Sequence, residues 1–408
     1  MERFKPVTNC RCCESTNLIK YLDLGEVPPC NSLLKSTEQY VDRYPIEMML
    51  CRDCFLSQLS VVIDPSILFK DYVYHSSISK TFRDHCVQLV GQISYDFVIN
   101  QTDLIIDIAS NDGCLLKQFK WAGFKNLVGI EPSENLTESY DDLEIGSINK
   151  FFSFSNSKLL RDTWGMGAKV ITAQNVLAHV DGLDDFLRGI HYLLRDDGVF
   201  VAEFPHMMNL IKNNQIDTIY HEHLSYFLLK PLIKIFGFNG LSIFHAEEVP
   251  IHGGSLRIYA SKNHNRIDYT VGEILSKESI SGCYEELTYT MLNKKVYMVK
   301  ETLLNTIIRI REDGKKIMGF GASAKGISLL NYFGINANHI HSIVDETPDK
   351  IGKWTPGSNI PIVGFAEFEK EKPDYILLLA WNFEKEMRDK TSFLGCQYII
   401  PIPDVVIV

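Results

Sequence analysis

The stretch Asp103-Leu-Ile-Ile-Asp-Ile-Ala-Ser-Asn-Asp-Gly113 decides the fold class. Its apolar run is typical of a buried strand, and the Ser-Asn-Asp-Gly that follows predicts a tight turn into a helix over residues 115–122. A second apolar run, Asn126–Glu131, comes after that helix. Strands that alternate with helices in this way predict an α/β fold with a parallel, doubly wound, Rossmann-like sheet.

The same alternation continues over most of the chain. Further apolar runs predict strands at Ala168–Ala173, Gly198–Phe204, Lys315–Phe320, His341–Asp345 and Asp374–Ala380. Helical patterns cover Thr81–Val98, Leu183–Leu194, much of Val271–Arg311 and a stretch ending at Leu330. We therefore expect three parts: a turn-rich N-terminal module over residues 1–70, an α/β domain over 71–265 and a second α/β domain over 266–408.

Composition narrows the class of protein. The 408 residues are 45% hydrophobic and 23% charged, as in soluble globular proteins of two or three domains. The net charge of −10 argues against a broad surface that tracks phosphates, so no nucleic-acid partner is expected. No apolar run approaches the roughly 18 residues that span a bilayer, and the N-terminus lacks the apolar segment of a signal peptide. We expect a cytoplasmic protein without a membrane partner, either a monomer or a weak homo-oligomer.

Four of the ten cysteines form two Cys-x-x-Cys pairs, Cys10 with Cys13 and Cys51 with Cys54. Zinc favours four such ligands in a tetrahedron, and each pair can chelate from one tight turn. Because four thiolates leave no open coordination position, the metal is expected to be structural. The alternative is a set of free or redox-active thiols, and Cys12 is a spare that could replace a neighbour.

The turn after the first strand is expected to hold a nucleoside, because ligands settle at the carboxyl edge of a parallel sheet. Gly113 lets the backbone approach a ligand, and Glu131 at the end of the next strand can accept hydrogen bonds from ribose hydroxyls. The turn lacks GxGxxG, since Ala109 stands where the first glycine would be, which weakens a dinucleotide interpretation. The candidate cofactor-binding residues are Asp107, Ala109, Asn111, Asp112, Gly113, Glu131, Gln174 and Asn175.

Two further segments are rich in chemistry. Gly319–Gly326 follows a strand and opens a helix, so its amides and Lys325 could hold a diphosphate, with Asp345 near a ribose or base. It is not a P-loop, because the GK[ST] ending is missing. Tyr220-His-Glu-His223-Leu-Ser-Tyr226 is dense in acid and base groups. If it is extended, Tyr220 and Glu222 share one face, whereas a turn would let its four polar side chains converge.

These segments occur in one order: the double Cys-x-x-Cys, DIASNDG, IEPS, AQNVLAHV, YHEHLSYF, HGGSLRIY and GFGASAKG. Together they resemble the sugar-nucleotide C-methyltransferases of deoxysugar biosynthesis over nearly the whole chain. The resemblance implies an S-adenosylmethionine cofactor, structural zinc, and a 4-keto-deoxysugar substrate carried on a nucleoside diphosphate, with thymidine diphosphate favoured. The chain departs at Asp107-Ile-Ala-Ser110, where relatives usually have Glu or Asp followed by a Gly-Ser pair, and this bears on cofactor affinity.

The resemblance also implies residue roles. His223 would be the base that removes a proton beside the ketone, favouring methylation at C3, while Glu222 orients it or binds a sugar hydroxyl. Tyr220 and Tyr74 would be active-site phenols. The expected substrate-binding residues are Ser76, Ser79, His179, Arg257, Gly321, Ser323, Lys325 and Asp345.

Other interpretations stay open from the residues alone. His179 could be an ordinary surface histidine, and the glycines before Arg257 could only permit close packing. The main functional alternative is an NAD-dependent oxidoreductase acting on a nucleotide sugar, which the missing GxGxxG disfavours. A non-enzymatic zinc scaffold would leave the cluster at residues 220–223 unexplained.

Overall fold

The chain folds into three regions that are each built around a β-sheet. The structure is a computed structural model, and it describes residues 4–69, 75–137, 144–262 and 267–408. Tyr74, which the resemblance places in the active site, lies outside the described residues. Within these described ranges, no helix combines the length and apolarity needed to cross a membrane.

The N-terminal region is a small antiparallel module. Its elements are β1 (Phe4–Pro6), β2 (Leu18–Val27), β3 (Tyr44–Cys51), β4 (Ser57–Leu59), β5 (Val61–Ile63) and α1 (Pro65–Phe69). Strands β2, β3 and β4 pair in succession, and β1 pairs with β5. Ile46, Met48 and Leu50 are fully buried, because alternate side chains of β3 point to the same face.

The middle region contains a seven-stranded sheet. Its strands are β6 (Leu104–Ile108), β7 (Asn126–Ile130), β8 (Gly146–Ile148), β9 (Ala168–Gln174), β10 (Leu194–Pro205), β12 (Ser242–Val249) and β13 (Ser255–Ser261). The short strand β11 (Ser225–Tyr226) comes between β10 and β12 in the chain and belongs to another sheet. The helices of the region are α2 (Lys80–Asp96), α3 (Cys114–Trp121), α4 (Glu134–Thr137), α5 (Phe154–Trp164), α6 (Leu183–Leu193), α7 (Met207–Lys212) and α8 (Leu229–Phe238).

The order of this sheet is β12-β13-β10-β9-β6-β7-β8. Strands β6 to β10 run parallel, whereas β13 is antiparallel to both β10 and β12. Because β7 and β9 lie on opposite sides of β6, the carboxyl end of β6 is the switch point at which such sheets bind ligands. The predicted Rossmann-like fold is confirmed.

The C-terminal region repeats this plan in a six-stranded sheet of order β16-β15-β14-β17-β18-β19, in which β19 alone runs antiparallel. These strands are β14 (Ile317–Phe320), β15 (Ile343–Val344), β16 (Ile362–Val363), β17 (Tyr375–Leu378), β18 (Gln397–Ile400) and β19 (Val406–Ile407). The helices that follow β13 are α9 (Tyr269–Ile280), whose buried Val271 and Ile274 pack in the core of the middle region, α10 (Glu286–Glu312), α11 (Ala324–Phe333), α12 (Ala366–Glu371) and α13 (Glu384–Thr391). The carboxyl end of β14 is the second switch point.

Strand β11 belongs to a sheet far from it in sequence. Ser225 and Tyr226 pair antiparallel with Gln58 and Ser57 of β4, so β11 completes the four-stranded N-terminal sheet. The hydrophobic core is shared in the same way, since Met48 of β3 and Leu330 of α11 belong to one buried cluster. The N-terminal module is therefore packed into the junction of the other two regions.

Two expectations about local structure need correction. The long helical pattern over residues 271–311 is two helices, α9 and α10, because Gly282 takes a left-handed φ of +70° between them. Residues 220–227 are not one extended segment: the amide of His223 donates to the carbonyl of Tyr220 at 2.9 Å, and only Ser225–Tyr226 is a strand. The segment is a turn, but its four polar side chains do not converge, since His221 and Glu222 face the N-terminal module.

Candidate active site

Four thiols meet in the N-terminal module. The Sγ atoms of Cys10 and Cys54 are 3.5 Å apart, those of Cys13 and Cys51 are 3.6 Å apart, and all four sulfurs lie within 4.8 Å of one another. A tetrahedral zinc ion with bonds of about 2.3 Å holds its sulfurs about 3.8 Å apart, so this cluster fits the metal. The four residues are those predicted from the sequence, and the cluster does not include Cys12.

The turn after β6 has an alternating backbone. Ala109, Asn111 and Gly113 have φ values of +52°, +51° and +74°. This left-handed region costs a residue with a Cβ about 1–2 kcal/mol, which is why glycine is usual there. Two residues other than glycine, Ala109 and Asn111, therefore hold a backbone conformation in which glycine is usual.

Glu131 ties this turn to the neighbouring strand. Its Oε2 accepts from the Asn111 amide at 2.9 Å and its Oε1 accepts from the Ser133 amide at 2.9 Å. Burial raises the pKa of this carboxyl group above its ordinary value. Each carboxylate oxygen has a second lone pair, so Glu131 can hold the turn and still accept from ribose hydroxyls.

A segment before α2 reaches the same turn. The Ser76 amide donates to Asn111 Oδ1 at 2.9 Å, and the amide and hydroxyl of Ser77 donate to Asp112 Oδ2 at 3.0 and 2.5 Å. Ser77 was not among the residues expected from the sequence. The hydroxyl of Ser79 accepts an amide three residues on and caps α2, so its contact with substrate stays a prediction.

Two polar side chains lie at the ends of β6 and β9. Thr172 donates to Asp107 Oδ1 at 2.7 Å, and burial raises the pKa of Asp107 to about 7. Gln174 is different: in the described part of the chain, neither its Oε1 nor its Nε2 has a hydrogen-bond partner, although both atoms are buried. An unsatisfied buried group costs about 1–3 kcal/mol. This edge therefore has polar capacity that a bound ligand would satisfy. Asn175, the next residue, takes a φ of +57°.

The turn at residues 220–223 brings a phenol and an imidazole together. The Tyr220 hydroxyl lies 3.0 Å from His223 Nε2, and His223 Nδ1 lies 2.8 Å from the carbonyl of Thr218. Because a carbonyl only accepts, Nδ1 carries the proton and Nε2 accepts from the Tyr220 hydroxyl. Burial holds the pKa of His223 well below its usual value, so the imidazole is neutral and Nε2 is its accepting atom.

Glu222 points to the N-terminal module. Its Oε1 accepts from Asn31 Nδ2 at 2.6 Å and lies 3.9 Å from Cys30 Sγ. No sequence signal had singled out Asn31. His221, between Glu222 and Tyr220, is also turned away, with Nε2 3.1 Å from the Tyr44 carbonyl.

His179 is not an isolated surface histidine. Its ring packs edge-on against the His223 ring with 4.9 Å between centroids. Burial lowers the pKa of His179 to about 4, while a backbone hydrogen bond at Glu222 acts in the opposite direction. The structure thus brings together one predicted substrate-binding residue, His179, and two predicted catalytic residues, Tyr220 and His223.

The second switch point uses the same carboxylate device. Asp345 Oδ2 accepts from the Ala322 amide at 2.7 Å, and its Oδ1 accepts from the Thr347 amide at 2.8 Å. Ser323 caps α11 by accepting from the Gly326 amide at 3.1 Å. These residues shape the turn, and their contact with a nucleotide stays a prediction.

The glycines of this turn face protein. A Cβ at Gly321 would lie 2.8 Å from the Met387 side chain, and one at Gly326 would lie 2.6 Å from Leu379 Cβ. Close packing therefore requires glycine at 326, and at 321 the left-handed φ of +90° favours glycine in addition to the packing.

Lys325 reaches across to the middle region. Its Nζ donates to the His252 carbonyl at 3.0 Å, and burial lowers its pKa while Asp217 acts in the opposite direction. Burial is the main reason for the lowered pKa values of His223 and His252, and the Lys325 charge lowers both further. The positive charge of Lys325 therefore lies near enough to the Tyr220–His223 pair to affect the pKa of His223.

Arg257 has a different place from the one expected. Its Nε donates to Glu203 Oε2 and its Nη1 to Glu247 Oε1, both at 2.9 Å. His85 Nε2 lies 3.0 Å from each oxygen of Glu203 and completes a buried charged network. Because carboxylates already neutralise the guanidinium, Arg257 is a poor candidate for binding phosphate.

Three family models match the chain in succession: a zinc binding domain at residues 10–69, a methyltransferase domain at 88–246 and a C-methyltransferase C-terminal domain at 250–403. The chain is 32% identical over 407 residues to the C-methyltransferase NovU of Streptomyces niveus, an alignment that covers 98% of this chain and 96% of that protein.

Solved structures are more distant. An S-adenosylmethionine-dependent methyltransferase from Clostridium acetobutylicum ATCC 824 has a TM-score of 0.34 and 13% identity, covering 45% of this chain and 91% of that one. Magnesium protoporphyrin IX methyltransferase (ChlM) from Synechocystis PCC 6803 with bound S-adenosylmethionine has a TM-score of 0.33 and 15% identity, covering 44% and 79%.

The residues present fit both groups that these matches imply. The four-thiol cluster accommodates zinc, and the β6 edge offers S-adenosylmethionine a left-handed turn, the Glu131 carboxylate and the Gln174 amide, which has no partner within the described ranges. Given the three successive domain matches and the identity along almost its whole length, the chain belongs to the S-adenosylmethionine-dependent C-methyltransferases that carry an N-terminal zinc-binding domain.

Proposed function

We propose that this enzyme methylates a carbon atom of a 4-keto-deoxysugar linked to a nucleoside diphosphate, with C3 and thymidine diphosphate favoured. The motif resemblance to sugar-nucleotide C-methyltransferases supports the substrate class. The observation that carries the chemistry is the buried Tyr220–His223 pair, whose imidazole is neutral and whose two nitrogens have defined roles.

A ketone makes the neighbouring C–H bond acidic enough for a protein base to break it. Nδ1 of His223 is fixed by the Thr218 carbonyl, which leaves Nε2 as the accepting atom. Since Nε2 is occupied by the Tyr220 hydroxyl, the proton from carbon passes to the Tyr220 oxygen as the phenolic proton passes to His223. S-adenosylmethionine, when bound, supplies the electrophilic methyl group that this carbon receives.

An oxyanion develops on the substrate when the proton leaves the carbon. Its negative charge needs a cation in a site shielded from water. Lys325 is half-buried, and its α11 neighbours Ala324 and Ile327 pack with Tyr220. A fixed charge aimed at a developing oxyanion is among the strongest contributions to catalysis. We assign Lys325 to that charge, while Asp345 and Ser323 shape the nucleotide end of the site.

The remaining roles follow from position. Glu131 and Gln174 are assigned to the cofactor, and Glu222 is held by Asn31 where it can orient a sugar hydroxyl. His179 packs on His223 and is assigned to the substrate. Tyr74 retains the active-site role that the resemblance implies.

The substrate assignment is tested with labelled S-adenosylmethionine and a panel of nucleotide-linked 4-keto-6-deoxyhexoses, including amino derivatives and both thymidine and uridine carriers. Label on a sugar carbon supports the proposal. Label on oxygen, or no transfer across the panel, contradicts it.

The base assignment is tested by solvent isotope exchange at the carbon beside the ketone. His223→Ala and Tyr220→Phe should each slow exchange about 10²- to 10⁴-fold and leave the S-adenosylmethionine Kd within twofold. His221→Gln is the matched control, because this neighbouring histidine faces the Tyr44 carbonyl and should exchange normally. Normal exchange in Tyr220→Phe would show that His223 acts directly, and normal exchange in His223→Ala would remove it from the role.

A further inference from the structure

Arg11 stands between two cysteines of the first zinc knuckle, yet its side chain is buried among other segments. Only 3% of that side chain is exposed. Its Nη1 donates to the carbonyl of Leu224 at 3.0 Å and to that of Leu59 at 3.2 Å, and its Nε donates to Asp181 Oδ1 at 3.2 Å. One guanidinium therefore connects the knuckle to three distant stretches of chain.

Two of those stretches adjoin His223 and His179, whose rings pack together. Leu224 directly follows His223, and Asp181 lies two residues after His179. The Leu224 amide donates to the carbonyl of Ala178 at 2.7 Å, so the two loops are also joined to each other. Arg11 binds both sides of this joint.

The second knuckle provides a contrast. Arg52 also follows the first cysteine of its pair, but it forms an ion pair with Glu286 in which both side chains are 45% exposed. An exposed pair of this kind contributes little to stability, whereas a planar guanidinium that donates in several directions inside the protein fixes the geometry of its partners. The two arginines share a position in the motif and differ in what they hold.

We propose that Arg11 is a positioning residue that sets the placement of the His223 and His179 loops relative to the zinc knuckle. Its effect on turnover rests on the proposed function, since His223 must be the proton acceptor for the placement to matter. Lysine cannot replace it, because a single ammonium cannot reach Leu224, Leu59 and Asp181 with the geometry of a fork.

The experiment compares Arg11→Met and Arg11→Lys with Arg52→Met in the full-length, zinc-loaded protein. Amide hydrogen exchange is measured in peptides covering residues 177–182 and 220–226, together with zinc content, S-adenosylmethionine Kd and, where a substrate is found, kcat. Both Arg11 variants should keep one zinc per chain and exchange at least tenfold faster in both peptides. Their kcat should fall at least tenfold with the S-adenosylmethionine Kd within twofold, and Arg52→Met should match the wild type.

Wild-type exchange in both Arg11 variants would overturn the proposal. Loss of zinc from Arg11→Lys would also overturn it, because Arg11 would then serve the metal site. The exchange measurement needs no substrate, so it decides the role of Arg11 even if the substrate panel shows no transfer. A failed panel with fast exchange in the Arg11 variants would reject the proposed function and leave the positioning role standing.

Discussion

The carboxyl edges of β6 and β14 share one hydrogen-bonding arrangement, but the residues around them differ. At each edge, an acidic residue follows the neighbouring strand. Its carboxylate accepts one hydrogen bond from a backbone amide of the turn and one from the amide two residues after the acid. The donors are Asn111 and Ser133 for Glu131, and Ala322 and Thr347 for Asp345. An acidic residue at this position therefore indicates that the turn is fixed by hydrogen bonds. The evidence for a bound ligand must come from other atoms.

Those other atoms distinguish the two edges. At the first edge, the turn after β6 has left-handed Ala109 and Asn111, and the neighbouring strand β9 ends at Gln174, whose buried side-chain amide has no partner among the described residues. The β14 turn has the glycines, and neighbouring side chains fill the space beside Gly321 and Gly326. Backbone conformation and unpaired polar atoms are thus a better guide to the ligand than the number of glycines.

The largest expected effect comes from exchanging the two acids for amides. Glu131→Gln should raise the S-adenosylmethionine Kd roughly 30- to 150-fold, about 2–3 kcal/mol, because an amide accepts with one oxygen only. Asp345→Asn should leave that Kd within twofold and weaken thymidine diphosphate instead. Calorimetric titration of both ligands measures the crossover. Equal losses of S-adenosylmethionine affinity in the two variants would show that the edges do not divide the ligands.

Packing at the second edge is tested by Gly326→Ala. The added methyl would meet Leu379, so we expect destabilisation of about 1–3 kcal/mol in chemical denaturation. Gly91→Ala is the control, since Gly91 is an exposed residue of α2 with nothing within 4 Å of its Cβ position, and alanine should stabilise there by about 0.5–1 kcal/mol. A variant at Gly326 as stable as the wild type would mean that the β14 turn has room after all.

The smallest expected effect concerns an acid that only the first edge has. Glu131 accepts the Asn111 amide, and Asp345 accepts the Ala322 amide. The residue four positions before this donor is Asp107 in β6 but Met318 in β14. Burial raises the pKa of Asp107 to about 7, so the protonated form is favoured in the folded protein. Its contribution to stability is full below the ordinary carboxyl pKa and is lost as the pH rises through 7.

Between pH 6 and pH 8 this group alone should lower the free energy of unfolding by about 1.4 kcal/mol. Asp107→Asn lacks the titration, so its stability relative to the wild type should rise by that amount over the same interval. Denaturation curves at the two pH values measure the difference. Parallel pH dependence in the two proteins would show that Asp107 is ionised throughout.

Continuous apolar runs made the parallel strands predictable. Strands buried on both faces, such as Leu104–Ile108 and Ala168–Gln174, lie within a residue or two of the predicted bounds because burial leaves a direct mark on composition. The four cysteines were predictable because chelation demands a fixed spacing. Both kinds of signal are local in sequence.

What the sequence could not supply is contact between distant segments. The pairing of β11 with β4, the hydrogen bond from Asn31 to Glu222 and the reach of Arg11 to Leu224 join residues between 167 and 213 positions apart. A polar contact of that range leaves no periodicity in either segment. The ion pair of Arg257 could not be predicted for the same reason, since its partner Glu203 lies on another strand.

The origin of β11 constrains how modules can be transplanted between relatives. A graft cut near residue 70 would carry three strands of the N-terminal sheet and leave the fourth, Ser225–Tyr226, with the recipient. Strand β4 of the grafted module would then have to pair with the recipient's own edge strand, which begins two residues after His223. A functional chimera should therefore exchange the turn and strand at 220–226 together with the module.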